Sequence, residues 1–215
     1  TKAVDLVGSL FGSSKVVAKV AALFVKEPTL GAAFAQALAN PSSGGAGYSI
    51  SEVEVGMVGV PLNGDPPNAA VQGSAPLATI DARPLGAVFQ AGSLWTLHCI
   101  DVGGRAGVRW YQINPGTLTT QQVGTIDDPV RHYFFPSIAV NASGDVGLGF
   151  AGSHAGEFGG AWYAGRKSTD AAGQTSPPAQ LKAGVASYQL FDGAGRNRWG
   201  DYTNTTLDPI DGQSF

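Results

Sequence analysis

The stretch PSIAVNASGDVGLGF, residues 136–150, decides the fold class of this chain. Two short runs rich in aliphatic residues, 136–141 and 145–150, flank the turn sequence Ala142-Ser143-Gly144. Short runs of β-branched and apolar residues that are bounded by Asn, Ser, Gly and Asp are typical of β-hairpins. The stretch therefore predicts two antiparallel strands joined by a turn.

The same pattern continues on both sides of this hairpin. Each run is short, contains aromatic or β-branched residues, and is bounded by Gly, Pro, Asn or Asp. The runs cover residues 94–100, 108–113 and 121–126 before the hairpin, and 160–166 and 179–182 after it. This part of the chain is therefore predicted to be all-β.

The hairpin also has an earlier counterpart. Residues 87–95 align with residues 139–147, which places Gly92 over Gly144 at a spacing of 52 residues. A third copy begins at 206–215. Repeated four-stranded units of roughly 40 to 50 residues indicate a β-propeller, although a β-sandwich would also show short strands. We divide the chain into approximate units 1–78, 79–130 and 131–197 and an incomplete unit 198–215.

The N-terminal third is less regular. Residues 16–25 and 32–39 are Ala-rich and have helical propensity, but Pro28, Gly31 and Pro41 interrupt any long helix. Residues 48–60 alternate well enough to form a strand.

Composition excludes several functional classes. The net charge is −3 and the cations are scattered singly, so no basic stripe for nucleic acid is present. The single cysteine, Cys99, lies inside an apolar run and is predicted to be a buried, inert thiol. No run of about 18 apolar residues suggests a membrane span.

Several segments carry a resemblance to a known family. They are Ile80–Arg83, Gly92–Thr96, Val108–Tyr111, Phe135–Asn141, Tyr163–Arg166 and Arg198–Tyr202. They resemble a family of bacterial secreted proteins of uncharacterised function that carry sialidase-like β-propellers. The resemblance implies four-stranded blades and a secreted or cell-surface location, and it implies no particular activity. It covers residues 80–215.

Propellers of the sialidase type also carry Asp boxes, in which an aspartate secures a hairpin turn. Residues 143–150 look like such a box, with Asp145 in the aspartate position and Gly149 where a hydroxyl residue is usual. Such boxes are structural, so this one informs the fold and not the chemistry.

The main candidate ligand site lies at the starts of the predicted units. Asp81 and Asp201 occupy corresponding places before the first strand of their units. The first strands of a propeller line its central channel, so we expect the site residues to converge near the channel mouth. These residues are Asp81, Arg83, Arg198, Trp199, Asp201 and Tyr202.

Two interpretations of this cluster stay open. The arginines would bind a carboxylate of a sugar, while Trp199 or Tyr202 would stack on its ring. Alternatively, Arg198 and Asp201 form a buried ion pair between blades and Trp199 belongs to the core.

A sialidase-like glycoside hydrolase is the enzymatic alternative. That chemistry needs three arginines, a tyrosine activated by glutamate and an aspartic acid. Arg83, Arg166 and Arg198 are available as arginines, but none stands in the usual motif context. The glutamates Glu52, Glu54 and Glu157 are available too, and nothing in the sequence pairs them.

Other cofactor sites are poorly supported. The GxGxxG sequence at 147–152 is followed by no helix, which excludes a dinucleotide-binding loop. The three histidines have no metal-ligand spacing, so we expect no transition metal. Asp208 and Asp211 are weak candidates for structural Ca²⁺, and a turn held by Asx hydrogen bonds is the favoured explanation.

We therefore expect an extracellular or cell-surface propeller module that binds carbohydrate or serves a structural role. About three units would leave sheet edges exposed. We expect further chain or a neighbouring subunit to complete the propeller.

Overall fold

The computed structural model describes residues 64–117 and 119–215, and these residues form an all-β architecture. The predicted elements at 16–25, 32–39 and 48–60, together with Glu52 and Glu54, lie outside the described residues. The strands are β1 Gly86–Gln90, β2 Ser93–Asp101, β3 Ala106–Asn114, β4 Thr119–Ile126, β5 His132–Val140, β6 Val146–His154, β7 Glu157–Arg166 and β8 Ala179–Lys182.

The strands form two four-stranded antiparallel sheets. The first sheet has the order β1-β2-β3-β4 and the second has the order β5-β6-β7-β8, so each is a simple meander. Over the same ranges the chain contains no helix, and hence none that is long and apolar enough to cross a membrane.

The first hairpin of each sheet turns at one of the aligned glycines. Gln90 pairs with Ser93 across a two-residue turn, in which Ala91 and Gly92 have φ of 51° and 72°. Such primed turns match the twist of the flanking strands. In the second sheet Gly144 has φ of 80°, within a longer turn. Both glycines therefore occupy a left-handed conformation that glycine adopts without strain.

Strand β5 begins earlier than the sequence predicts. The pattern placed its start at Pro136, whereas the strand starts at His132. The register shifts between Phe134 and Ser137, and Phe135 has φ of 51°. A bulge accommodates Pro136 because its missing N–H costs no ladder hydrogen bond there. The strand therefore continues through the proline.

One apolar core joins the two sheets. The first sheet contributes alternate residues such as Trp95 and Trp110, whose rings stack with centroids 6.2 Å apart. The second sheet contributes Tyr133, Phe150 and Trp162, with edge-on contact between Tyr133 and Phe150 at 5.0 Å. Because side chains alternate along each strand, every second residue faces this core.

A second apolar cluster surrounds Cys99. The thiol is 1% exposed and packs with Phe134 and Phe135. Burial raises its pKa to about 12, so the nucleophilic thiolate is scarce at neutral pH. The predicted burial of Cys99 is confirmed.

The opposite face of β6 is covered by the C-terminal residues. A Cβ atom at Gly147 would lie 2.6 Å from the Phe215 ring, and one at Gly149 would lie 2.7 Å from the Thr205 hydroxyl. The Thr203 hydroxyl donates to the Phe135 carbonyl at 2.6 Å. The 147–152 sequence thus serves as a flat strand surface on which these residues pack.

Residues 198–215, the expected start of a further unit, contain no strand. They form turns and extended segments, with the Asp208 N–H donating to the Ser214 carbonyl at 2.8 Å. Side-chain hydrogen bonds, such as Thr205 to Ser137 at 2.8 Å, hold them on the second sheet.

A polar pair is buried on the far face of the first sheet. His98 Nδ1 lies 2.7 Å from the Ala82 carbonyl and Nε2 lies 3.0 Å from the Tyr111 hydroxyl. A carbonyl only accepts, so Nδ1 carries the proton and Nε2 accepts from Tyr111. Burial lowers the pKa of both His98 and His132, and Ala106 N–H donates to His132 Nδ1. Both rings are therefore held neutral.

The neighbours of Gly124 leave no room for a side chain at this position. A Cβ atom there would lie 2.5 Å from both the Gly173 carbonyl oxygen and the Trp110 ring. We expect Gly124→Ala to lower the free energy of unfolding by about 1–3 kcal/mol. Gly86→Ala is the matched control, because a Cβ there meets nothing within 4 Å, and it should be within about 0.5 kcal/mol of wild type. Urea denaturation measures both, and equal stabilities would contradict the packing described.

The buried histidines predict that the free energy of unfolding falls with falling pH already at pH values above those at which carboxylates titrate. Their folded pKa is lowered, so between that value and the ordinary 6.5 the unfolded chain binds more protons. Stability is therefore complete above about pH 6.5 and falls as the pH drops below it, by at most about 1.4 kcal/mol per pH unit for each histidine. His98→Gln should reduce this slope, as measured by urea denaturation between pH 7 and 5. An unchanged slope would contradict the assignment.

Candidate functional site

The charged residues of the predicted site form two separate sets of ion pairs, together called the ion-pair surface. Asp81 binds Arg83 through both carboxylate oxygens, at 2.9 and 2.8 Å from Nε. Arg198 binds Asp201 and also lies 3.4 Å from Asp192. The surface is completed by Arg196, whose guanidinium lies 2.8 Å from Asp192.

The two halves of this surface are electrostatically coupled. The pKa of Arg83 is raised first by its hydrogen bond to Asp81, with additional contributions from Tyr202 and Asp201. The structure therefore brings residues near 81 and near 201 into one region, although they are far apart in sequence. Asp192 has its pKa lowered to about 2, chiefly by the Arg196 backbone N–H. This carboxylate is fully ionised at neutral pH.

The two aromatic residues of the predicted site have different environments. The Trp199 ring contacts Tyr188 edge-on at 5.0 Å and covers Gly159, where a Cβ would lie 2.8 Å from it. Tyr202 is 53% exposed. Trp199 is thus a packing residue, as in the structural interpretation. Tyr202 alone of the pair presents a ring to solvent.

One interpretation of the site makes Arg198 and Asp201 a buried ion pair, and the exposure of their side chains bears on it. The side chains of Arg198 and Asp201 are 23% and 34% exposed, so the pair is half-buried. By contrast, the Arg83 side chain is 65% exposed. Ion pairs at such exposure orient side chains more than they stabilise the fold.

Sequence reasoning missed a second charged group, here called the Glu157 cluster. Glu157 accepts from Arg131 Nε at 2.6 Å and from Gln180 Nε2 at 2.8 Å. His154 Nε2 lies 3.3 Å from the same carboxylate, and Arg131 stacks over the Trp162 ring at 4.7 Å. The partners of Glu157 are thus an arginine, an amide and a histidine, none of which the sequence analysis named.

A signal for this cluster was present in the sequence. Ala155-Gly156 separates two strand-like runs, and a two-residue hairpin loop makes the flanking residues cross-strand neighbours. His154 and Glu157 are indeed paired across β6 and β7. The predicted start of this strand at Gly160 concealed the hairpin.

Tyr133 lies next to the Glu157 cluster but is buried. It is 1% exposed, and burial raises its pKa to about 12, with Asp128 and Glu157 contributing in the same direction. Its hydroxyl is therefore stabilised in the protonated form. A tyrosine nucleophile needs the opposite shift and access to substrate.

An open groove lies against the outer face of the second sheet. Its cavity volume is about 1030 Å³, and its walls come from β6, β7, the turn after β7 and the C-terminal residues. Tyr163 stands in this groove at 48% exposure. Its cross-strand neighbours are Gly149 and Ala179, which carry almost no side chain. The Thr205 hydroxyl lies over Gly149 on the β6 side, and the Tyr163 residue keeps 48% exposure beside it.

Polar groups line the remainder of the groove. They are amide, hydroxyl and charged side chains, namely Asn141, Lys167, Ser176, Asn204, Gln213 and Ser214. The groove carboxylate of Asp145 accepts from the Ser168 N–H at 2.8 Å and lies 3.4 Å from Lys167 Nζ. Asp145 thus ties the turn after β5 to the turn after β7, which is a structural use of the Asp-box-like sequence.

The weak Ca²⁺ candidates are engaged in turns. Asp208 Oδ1 accepts the Ile210 N–H at 2.7 Å. Asp211 Oδ1 accepts two backbone N–H groups, and its Oδ2 accepts the Ser214 hydroxyl at 2.7 Å. These are Asx turns. Across the ranges that the structure describes, no group of three His, Cys, Asp or Glu side chains is placed to hold a metal ion.

No protein-family model, curated protein or solved structure matches this chain. Its site is therefore interpreted from its own residues.

The two charged regions should differ in their contribution to stability. Glu157→Gln removes a carboxylate that is 18% exposed and paired with a cation above an aromatic ring. We expect it to lower the free energy of unfolding by about 1–3 kcal/mol, because Arg131 loses its partner. Asp81→Asn is the control, since its partner is largely exposed, and should change stability by less than about 0.5 kcal/mol. Urea denaturation at pH 7 distinguishes the variants, and the reverse order would refute the assignment.

Proposed function

We propose that this chain is part of an extracellular or cell-surface β-propeller module, and that it binds carbohydrate in the groove around Tyr163. The architecture supports the propeller. Each sheet is a four-stranded meander, and the aligned glycines Gly92 and Gly144 both turn the first hairpin in a left-handed conformation. The sheets pack face to face through one core, as successive blades do.

The resemblance to secreted proteins with sialidase-like propellers supports the same proposal. The segments that carry it include 92–96, at the start of β2, and 163–166, at the end of β7. Secretion or display at the cell surface remains part of the proposal on this ground.

The setting of Tyr163 is the observation that carries carbohydrate binding. A sugar ring presents an apolar face of C–H groups and a rim of hydroxyls. A half-exposed tyrosine between Gly149 and Ala179 offers a flat apolar surface to that face. On the groove wall, Asn204 offers its amide to the hydroxyls. Gln213 offers its amide N–H groups, while its side-chain oxygen accepts from Asn141 and Ser143. Concave sites with an aromatic surface and a few polar groups are the usual form of small-ligand sites.

The sialidase-like hydrolase is supported less well. Its closest counterpart is Tyr133 beside Glu157 and Asp128, but Tyr133 is buried and holds its proton. A general acid in glycoside hydrolysis needs a raised carboxyl pKa. Hydrogen bonds from Arg131 and from backbone N–H groups, together with the charge of Arg131, outweigh burial and lower the pKa of Asp128. The pKa of Asp81 is lowered likewise by Arg83.

The exposed apolar residues near the C-terminus suit a module that functions within a larger assembly. Val185 is 88% exposed, Leu181 is 70% exposed and Ile210 is 94% exposed. Burying such side chains against a partner would be favourable through the hydrophobic effect. We include in the proposal that further chain or a neighbouring subunit covers them.

The proposal predicts that glycan binding depends on Tyr163. We expect the protein to bind members of a glycan array, and Tyr163→Ala to weaken the best of these by at least tenfold in calorimetric titration, because the stacking surface is lost. Val130→Ala is the matched control. Val130 is 57% exposed but precedes β5, at the other end of the second sheet from the groove.

Each outcome bears on a separate part of the proposal. If wild-type protein binds no glycan on the array, carbohydrate binding is refuted and a structural role is preferred. If Tyr163→Ala and Val130→Ala bind like wild type, the ligand lies elsewhere, and Tyr202→Ala then tests the ion-pair surface. If glycans are released as shortened products, the hydrolase is favoured over the binding module.

A further inference from the structure

The sequence contains two acceptor sequences for N-linked glycans, and the structure separates them. An acceptor is an asparagine followed, after any residue except proline, by serine or threonine. Asn141-Ala142-Ser143 and Asn204-Thr205-Thr206 meet this rule, whereas Asn40-Pro41-Ser42 fails because of its proline. The modified amide must be accessible, and the bulky glycan must remain at the surface of the folded chain. The surroundings of Asn141 and Asn204 therefore decide between them.

The Asn141 amide is committed to the fold. The residue is 2% exposed, and its Nδ2 donates to the side-chain oxygens of Asp145 and Gln213 at 3.3 and 3.2 Å. Its Oδ1 accepts the Asp145 N–H at 2.9 Å. A glycan on Nδ2 would replace one of the hydrogens that make these bonds, and it would need space that the folded chain does not leave. We therefore expect Asn141 to stay unmodified.

The Asn204 side chain lies on the outer side of its segment. Exposure alternates from Tyr202 to Thr206: residues 202, 204 and 206 are exposed, whereas residues 203 and 205 are partly buried. Such alternation places every second side chain of an extended chain on the same side. The acceptor amide therefore faces solvent together with the Thr206 hydroxyl, which completes the acceptor sequence.

Hydroxyl groups hold the segment in this orientation. Thr203 donates to the Phe135 carbonyl oxygen at 2.6 Å, and the Thr205 hydroxyl lies 2.8 Å from the Ser137 hydroxyl. Both threonines thus point towards the second sheet. Because they flank Asn204 in sequence, they keep its amide turned away from the sheet.

We propose that Asn204 carries an N-linked glycan when the chain passes through a secretory pathway, and that Asn141 is not modified. The donor is an oligosaccharide on a polyprenyl diphosphate, and the enzyme is an oligosaccharyltransferase. A bond forms between Asn204 Nδ2 and C1 of the first sugar. The bond between C1 and the diphosphate oxygen breaks, and the lipid diphosphate leaves. The amide loses one proton to a base of the enzyme, and nothing is oxidised or reduced.

The modification would affect the groove around Tyr163. Asn204 and Thr206 line that groove, so a glycan on Asn204 would start at its wall and share its space with a free ligand. Tyr202 is 53% exposed, precedes Asn204 by two residues on the same side, and offers its ring to the first sugar. The proposal rests on the extracellular part of the proposed function and not on carbohydrate binding.

The test is expression of the full chain behind a cleavable secretory signal in a eukaryotic cell line. Protein from the medium and from the lysate is measured by intact mass before and after treatment with peptide-N-glycosidase. We expect the treatment to remove one glycan per molecule. The glycosidase converts the modified asparagine to aspartate, which peptide mass spectrometry should locate at residue 204. Because the added signal supplies the route, the result tests the site separately from the natural location of the protein.

Three variants identify the acceptor without changing either asparagine. Thr206→Ala should abolish glycosylation, because it removes the hydroxyl that completes the acceptor sequence. Thr206→Ser is the matched control and should retain the glycan. Ser143→Ala destroys the acceptor sequence at Asn141 but leaves that amide in place, so it should carry the same glycan as the wild type.

Three results would overturn the proposal. One is a wild-type chain that carries no glycan after entering the secretory pathway. Another is a glycan at Asn141, either alone or together with one at Asn204. The third is a Thr206→Ala variant that is glycosylated like the wild type.

Discussion

Between the two sheets, aromatic side chains from both partners meet in one core, and the remaining features depend on this contact. Trp95 and Trp110 come from the first sheet, and Tyr133, Phe150 and Trp162 come from the second. Neither four-stranded meander could bury these rings alone, because a single sheet leaves one face to water. The packing sets the position of β7, and through β7 the positions of Tyr163 on one face and Arg166 on the other.

Glycines on the outer face of the second sheet allow the C-terminal residues to pack directly on strand β6. Gly147 and Gly149 leave β6 flat, so Phe215 and Thr205 lie directly on its backbone. Those residues are held by hydroxyl groups rather than by a strand ladder, with Thr203 and Thr205 bonded to the β5 region. This segment lines the groove together with residues of β6 and β7, among them Tyr163.

Charge in this protein is arranged in pairs and short chains. Arg83, Arg131 and Arg198 each bind at least one carboxylate. Paired carboxylates stay ionised, so they are poor proton donors. Arg166 departs from this arrangement, since its charge faces an aromatic ring. Among these arginines, Arg166 is thus the one whose charge is compensated by an aromatic ring and a carbonyl oxygen.

Local pattern was enough to predict the strands and the aligned hairpins. Alternating aromatic and β-branched residues bounded by Gly, Asn and Asp determine strands through local sterics, so 94–100 and 108–113 fall within β2 and β3. The repeat also predicted a cluster of Asp81, Arg83, Arg198 and Asp201, in which the ion pairs join neighbours in sequence. Pairs that lie close in sequence, such as Arg198 with Asp201, need only a turn to meet.

Tertiary structure decided everything that depends on long-range contact. Four features result from contacts between segments that lie far apart in the sequence. They are the bulge at Pro136, the burial of Tyr133, the partners of Glu157 and the covering of β6 by Phe215. Whether a cation such as Arg166 finds a carboxylate is likewise set by which strands become neighbours. The sequence alone determined the all-β architecture and the aligned hairpins of the described residues, because those follow from local propensity. The site required the folded core, because burial and electrostatic pairing are properties of neighbours in space.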